Sequence, residues 1–257
     1  MSESSKASAA IVLDCQDHGE SDQIVTFYCR NIGRMTGIAK GAKRSQKRFV
    51  NKLELFSLLS LRYTESRSGN LAFINEAELV ESFIRLRQSM PLYLAATVVR
   101  ELTLVATRDL EGDDGFFALL CWGLHALDSR RPAMTVLVFF QIKFFEQIGY
   151  RPNLDCCVHC NQPFNATQDY GFDSRAGGIV CRGCQGERGP VTGLPMARGT
   201  IKILQSAQNQ PLERLHRLHL SASGLCEALS FLYQYGRHLL QREICSLKVL
   251  SDAQWKA

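Results

Sequence analysis

Over the first 80 residues apolar and polar positions alternate in short runs, and this alternation predicts strands. The candidate segments are Ala9–Cys15, Gln23–Cys29, Arg34–Lys40, Leu53–Tyr63 and Leu71–Leu79. In the second, Ile24, Thr26 and Tyr28 alternate with Val25, Phe27 and Cys29. Such β-branched and aromatic side chains suit a pleated surface. Asn31-Ile32-Gly33 and Arg67-Ser68-Gly69-Asn70 supply turns between neighbouring segments. Short strands in so brief a span predict a small closed or partly open barrel. Its longest connection would be Gly41–Lys52.

Beyond residue 82 the period changes to that of a helix. Pro91 suits a first helical turn, and Leu92, Ala95, Ala96, Val99, Leu102 and Ala106 follow on one face. Further helices are predicted over Gly115–Leu127, Ala133–Gln147, Pro195–Ala207 and Ser221–Glu243, with Gly149 and Pro152 ending the third. The stretch 153–190 breaks this pattern with five cysteines, frequent glycine and little apolar period. The fold class read here is α+β and multidomain. It comprises a barrel over 1–82, a helical domain over 83–152 and 191–257, and an insertion in it over 153–190.

Charge adds a second feature. Residues 23–53 contain no Asp or Glu, yet hold Arg30, Arg34, Lys40, Lys43, Arg44, Lys47, Arg48 and Lys52. The chain has 30 basic and 25 acidic residues, so without these eight the rest would carry 22 against 25. The whole positive excess comes from one segment, and a concentrated cationic surface attracts a polyphosphate backbone. Arg34, Lys40, Lys43, Arg44, Lys47, Arg48 and Lys52 are the candidate nucleic-acid contacts. Phe49 is a candidate base-stacking platform. The glycines here do not form a phosphate loop, which needs G-x-x-x-x-G-K-[S/T]. The bland alternative is a solvated basic loop.

Cys157-x-x-Cys160 and Cys181-x-x-Cys184 have the spacing of a four-thiolate site built from two knuckles. Zinc is the expected ion, in a structural role, and a rubredoxin-like iron site is the alternative. A module this small has little core, so the metal would supply most of its folding energy. Gly177-Gly178 permits a sharp turn before the second pair. Cys156 could substitute for Cys157, and His159 could compete as a ligand. A catalytic zinc keeps an open position that four thiolates would close, so a zinc hydrolase or deaminase is the weaker reading. His18-Gly-Glu20 matches the H-x-E of deaminases by letter only. The chain has no G-x-S-x-G or G-x-G-x-x-G. No apolar run is long enough to span a bilayer, and Met1–Ala10 lacks the features of a secretory signal. The expectation is a soluble cytoplasmic protein with a frayed N-terminus and no membrane partner.

Several segments together resemble the RecO family of bacterial recombination mediators. They are Ile11-Val-Leu13, His18-Gly-Glu20-Ser-Asp22-Gln-Ile-Val25, Gly33, Ala39-Lys40-Gly41-Ala42, Leu55-Phe56 and Arg100-Glu101-Leu102. Phe145-Glu146-x-x-Gly149-Tyr150-x-Pro152-x-Leu154, the cysteine quartet, and Leu247–Leu250 after Arg242-Glu243 complete the set. The resemblance implies an N-terminal OB-fold, a C-terminal helical domain with an inserted zinc-finger-like module, and no enzymatic activity. It also implies binding and annealing of single- and double-stranded DNA, action with RecR, and loading of RecA onto DNA coated by single-strand-binding protein. A nucleoid-associated location follows from that role. Some members lack the cysteines, which implies a structural metal. The chain departs from the family where Cys245 stands in place of a usual Lys. An RNA-binding accessory protein using the same barrel is the competing reading; dependence on the 2′-hydroxyl separates the two.

Overall fold

The computed structural model describes residues 5–65, 71–109, 111–186 and 193–254. The turn expected at Arg67–Asn70 lies outside them. The chain forms two compact units, Met1–Ser129 and Arg130–Ala257.

In the first unit, β1 (Lys6–His18), β2 (Asp22–Cys29), β3 (Gly33–Ala39), β4 (Leu58–Thr64) and β5 (Ala72–Glu81) close into a barrel in the order β1-β2-β3-β5-β4. Neighbours are antiparallel except β3 and β5, which run parallel where Ile38 meets Phe73. β1 closes the ring by serving two partners: Lys6–Ile11 pairs with β4, and the strand from Ala10 onward pairs with β2. A register shift between Val12 and Asp14 marks the handover, where such irregularities bend a strand. Residues 6–8, read from sequence as part of a frayed tail, are therefore paired strand. Val12, Val25, Phe27, Met35, Leu59, Leu61 and Ile74 fill the interior. Gly33 closes the turn after β2 at φ 79°, a conformation open to glycine.

The fourth strand begins at Leu58, not Leu53. Residues 53–57 are irregular, with Phe56 at φ 72° and fully buried. Outside the barrel pack α1 (Ile84–Gln88), α2 (Met90–Ala106) and α3 (Asp114–Asp128). The Asp113 carboxylate caps α3 by accepting from Gly115 N–H at 2.7 Å and Phe116 N–H at 3.0 Å. This starts the helix where Phe116 meets the Tyr28 ring, 5.1 Å between centroids. Arg100 on α2 donates to the Leu13 carbonyl and, at 2.8 Å, to the Asp14 carboxylate, tying helix to strand.

The second unit contains α4 (Ala133–Gln147), β6 (Tyr170–Asp173), β7 (Gly178–Cys181), α5 (Arg182–Gly186), β8 (Leu194–Met196), α6 (Arg198–Asn209), α7 (Ala222–Leu240) and α8 (Cys245–Gln254). α4 is apolar on nearly every side and is buried accordingly, with Phe140, Phe144 and Phe145 inaccessible. It packs on α6 and α7, so the cysteine segment is an insertion between helices that meet. The helix expected from Pro195 starts only at Arg198. Pro195 lies instead in β8, opposite Gly171 at the edge of the order β7-β6-β8, where a residue without an N–H is tolerated. The last expected helix ends at Leu240, because Gln241 turns left-handed at φ 49° and α8 follows separately. Among the described residues no helix is long and apolar enough to cross a membrane.

Candidate nucleic-acid interface and metal centre

The cysteine module is built by backbone pairing. Gly177, at φ 73°, turns the chain from β6 into β7. Beside it, Asn153 and Val158 exchange backbone bonds with Gly177 and Ile179: Asn153 N–H to Gly177 O, Ile179 N–H to Asn153 O and Val158 N–H to Ile179 O, each 2.9 Å. Only glycine fits at 178, since a Cβ there would lie 2.4 Å from Val158 Cγ1. The pairing sets the first knuckle against the second. The Sγ atoms of Cys157, Cys160, Cys181 and Cys184 all lie within 4.8 Å of one another. Cys160 and Cys181 are 3.7 Å apart, close to the ~3.8 Å edge of a tetrahedron with 2.3 Å metal–sulfur bonds.

The local electrostatics fit a cation. Burial opposes ionisation of Cys157, but N–H groups of Cys181, Cys160 and His159 point at its sulfur and pull it down to about 6. Cys184 is pushed up to about 12 because the Cys181 and Cys160 sulfurs bond its thiol form and burial adds to the effect. Four negative sulfurs cannot share this volume unless a positive ion joins them. The quartet can therefore bind a metal ion. Cys156 and His159 are outside it: Cys156 Sγ lies 3.3 Å from Asn153 Nδ2, and half-buried His159 lies 3.8 Å from Asp173.

The basic segment is an anchored loop. Ala42, Phe49 and Leu53 plug the barrel core at intervals along it. Its start is tied to the β1–β2 turn by Gly41 N–H to Asp22 Oδ1 at 2.8 Å and Lys43 N–H to Ser21 O at 2.9 Å. The Gly41 N–H, with the Ser21 hydroxyl, holds the Asp22 carboxyl below the ordinary range. Between these anchors Lys40, Lys43, Arg44, Lys47 and Arg48 are exposed and Lys52 is half-buried. Lys52 Nζ donates to the Lys47 carbonyl at 3.0 Å, and Arg48 to that of Lys40 at 3.4 Å.

The fold thus brings six of the seven nominated cations onto one loop and leaves the seventh elsewhere. Arg34 stands at the start of β3, about 20 Å from Lys40 at ~3.3 Å per residue. There it pairs with Asp109 at 2.6 Å and donates to the Leu104 carbonyl at 3.0 Å. The acid-free window is also not free of acids in space. Asp17 meets Lys43 at 2.9 Å, Glu20 meets Arg44 at 3.4 Å, and Asp114 meets Arg30 at 3.2 Å. Phe49 corrects the expectation of a stacking platform: its ring is 3% exposed because it fills the barrel. An accessible aromatic on the barrel is Phe73, beside Ile38 on the outer face, with Lys40 Nζ 5.2 Å from its ring centre. The alternation of Ala72, Phe73, Ile74 and Asn75 was the signal that could have found it.

A closed five-strand barrel with a cationic loop, joined in one chain to a helical unit holding a four-sulfur module, defines a class of nucleic-acid-handling architecture. Two family models match, Recombination protein O N terminal over residues 1–83 and Recombination protein O C terminal over residues 87–248. The chain is 36% identical over 245 residues to the DNA repair protein RecO of Syntrophus aciditrophicus (strain SB), covering 95% of this chain and 94% of that one. It is 31% identical over 244 residues to that of Syntrophobacter fumaroxidans (strain DSM 10017 / MPOB), covering 95% and 96%, and 32% identical over 232 residues to that of Myxococcus xanthus (strain DK1622), covering 90% and 92%. The chain belongs to the RecO family of DNA repair proteins.

Proposed function

We propose that the chain is a recombination mediator that works by binding, without catalysis. It holds and anneals DNA strands and, with RecR, helps load RecA onto DNA coated by single-strand-binding protein, in the cytoplasm at the nucleoid. The observation that carries this reading is the anchored loop 40–52, which displays Lys40, Lys43, Arg44, Lys47, Arg48 and Lys52 on a barrel of the order used by oligonucleotide binders. Phe73 offers a face for a base. Arg34 takes a lesser part, since a strand would have to displace Asp109. The metal is zinc, held by Cys157, Cys160, Cys181 and Cys184 in a closed sphere that braces the second unit. We keep 1–82, 83–152, 153–190 and 191–257 as functional modules, although packing gathers them into two units.

The test is DNA binding against salt. Affinity should fall with a log–log slope of about 0.9 per phosphate neutralised on duplex DNA. Lys43→Glu with Arg44→Glu should weaken binding far more than Arg214→Glu with Arg217→Glu on the second unit. Salt-independent binding, or equal effects of the two pairs, would refute the reading. A matched RNA that outcompetes DNA would point to the accessory RNA-binding role.

A further inference from the structure

The second unit has an open pocket of about 840 Å³ that neither the basic loop nor the cysteine quartet uses. It lies between the β6–β7 turn, β8 and the outer face of α7. Arg175 comes from the turn, Arg237 and His238 from the last turns of α7. Among the described residues neither guanidinium has an ion-pair or hydrogen-bond partner. Asp173, the one acid in the wall among the described residues, is already engaged. It accepts the Arg175 and Ala176 N–H groups at 2.8 and 3.1 Å, and its other oxygen faces His159. The described wall therefore sets two guanidinium groups against one carboxylate and is net positive.

The rest of the wall is informative about the ligand. Ser174, Ser230, Gln234 and Gln241 add hydroxyl and amide donors, and among the described residues Leu194 is the only aliphatic side chain. Arg with Ser and Gln is a donor set that meets phosphate oxygens, and guanidinium geometry matches them; the Tyr233 hydroxyl is already given to the Glu243 carboxylate at 3.2 Å. An acidic peptide would feel the same charge, but peptides anchor through apolar side chains in apolar sockets, and among the described residues only Leu194 and the Tyr233 ring could form one. Half-buried Tyr233 supplies a ring on which a base can rest.

We propose that this pocket holds a phosphodiester of a nucleic-acid strand, gripped by Arg175 and Arg237, at a place separate from the barrel loop. The inference rests on the reading that the chain binds nucleic acid. The test uses the full chain and a fluorescent oligothymidylate titrated at several salt concentrations. Arg175→Ala with Arg237→Ala should weaken binding and flatten the salt slope by about 0.7 for each phosphate that is no longer neutralised on a single strand. On the unmodified chain, a 4-thiothymidine oligonucleotide should photocrosslink to peptides containing residues 174–175 and 230–238. An unchanged slope with no crosslink there overturns the pocket. If Lys43→Glu with Arg44→Glu still weakens binding in that case, the mediator reading survives alone. If no variant alters binding and salt has no effect, the mediator reading fails as well. Loss in the arginine variant of binding to a Glu-rich peptide, with DNA binding intact, would make the pocket a peptide socket and overturn the inference.

Discussion

At the scale of single residues, charge was legible in the sequence and its compensation was not. Counting found the cations between Asp22 and Glu54. It could not find Asp17, Glu20, Asp109 and Asp114, which lie outside that window and reach in through folding. Exposed pairs of this kind contribute little to stability, so phosphate can displace them. Phe49 shows the same limit, because it lies in an irregular segment where no alternation marks an aromatic that plugs the barrel. Phe49→Ala should lower stability by about 3–5 kcal/mol in urea unfolding. Phe73→Ala should leave stability nearly unchanged and weaken single-strand binding by about 1–3 kcal/mol in titrations. Asp22 gives a pH signature. Its folded pKa lies below the ordinary 3.8, so its contribution is complete above that value and is lost as pH falls through the folded pKa. Asp22→Asn should remove this part of the acid sensitivity, read by circular dichroism from pH 5 to 2.

At the scale of elements, period decided what could be read. β2 and β3 each show one face to the core, and their alternation is plain in the sequence. β6 and β7 are buried on both faces, as the runs Tyr170-Gly171-Phe172 and Gly178–Cys181 show, so no period of two exists to detect. The quartet was legible because ligand spacing is a local property. The pairing that assembles it was not, since it depends on Asn153 meeting Gly178. Gly178→Ala should force Val158 and the Asn153 carbonyl apart. An overpacking cost of about 1–3 kcal/mol is expected, together with weaker metal retention measured by chelator competition. Stripping the metal should loosen residues 153–186 in hydrogen exchange while the barrel strands stay protected.

For the molecule as a whole, the barrel and the helical portion followed from the order of segments, and RecO membership confirms the resemblance carried by the short motifs. The boundary at Ser129 was hidden. It depends on α3 placing Phe116 and Phe117 against Tyr28, 5.1 and 6.5 Å between ring centres, a pairing of distant residues. At this scale the mediator role has its own test. Strand annealing should persist when the strands are coated with single-strand-binding protein, followed by fluorescence quenching of dye-bearing partners. Annealing abolished by the coat would leave only a general DNA binder.

The hairpin of β6 and β7 has one more consequence. A metal held by the four sulfurs would clamp its open end at Cys181, opposite Tyr170, while Phe172 is wedged against Phe231 and Tyr235 of α7, 4.5 and 5.4 Å between ring centres. Arg175 rides at the far tip of this short lever. A chelator that frees the hairpin's base should therefore let that guanidinium wander and lose the crosslinks to residues 174–175, while the loop at Lys43 and Arg44 keeps its hold. Loss of the metal would then loosen one contact and leave the other in place.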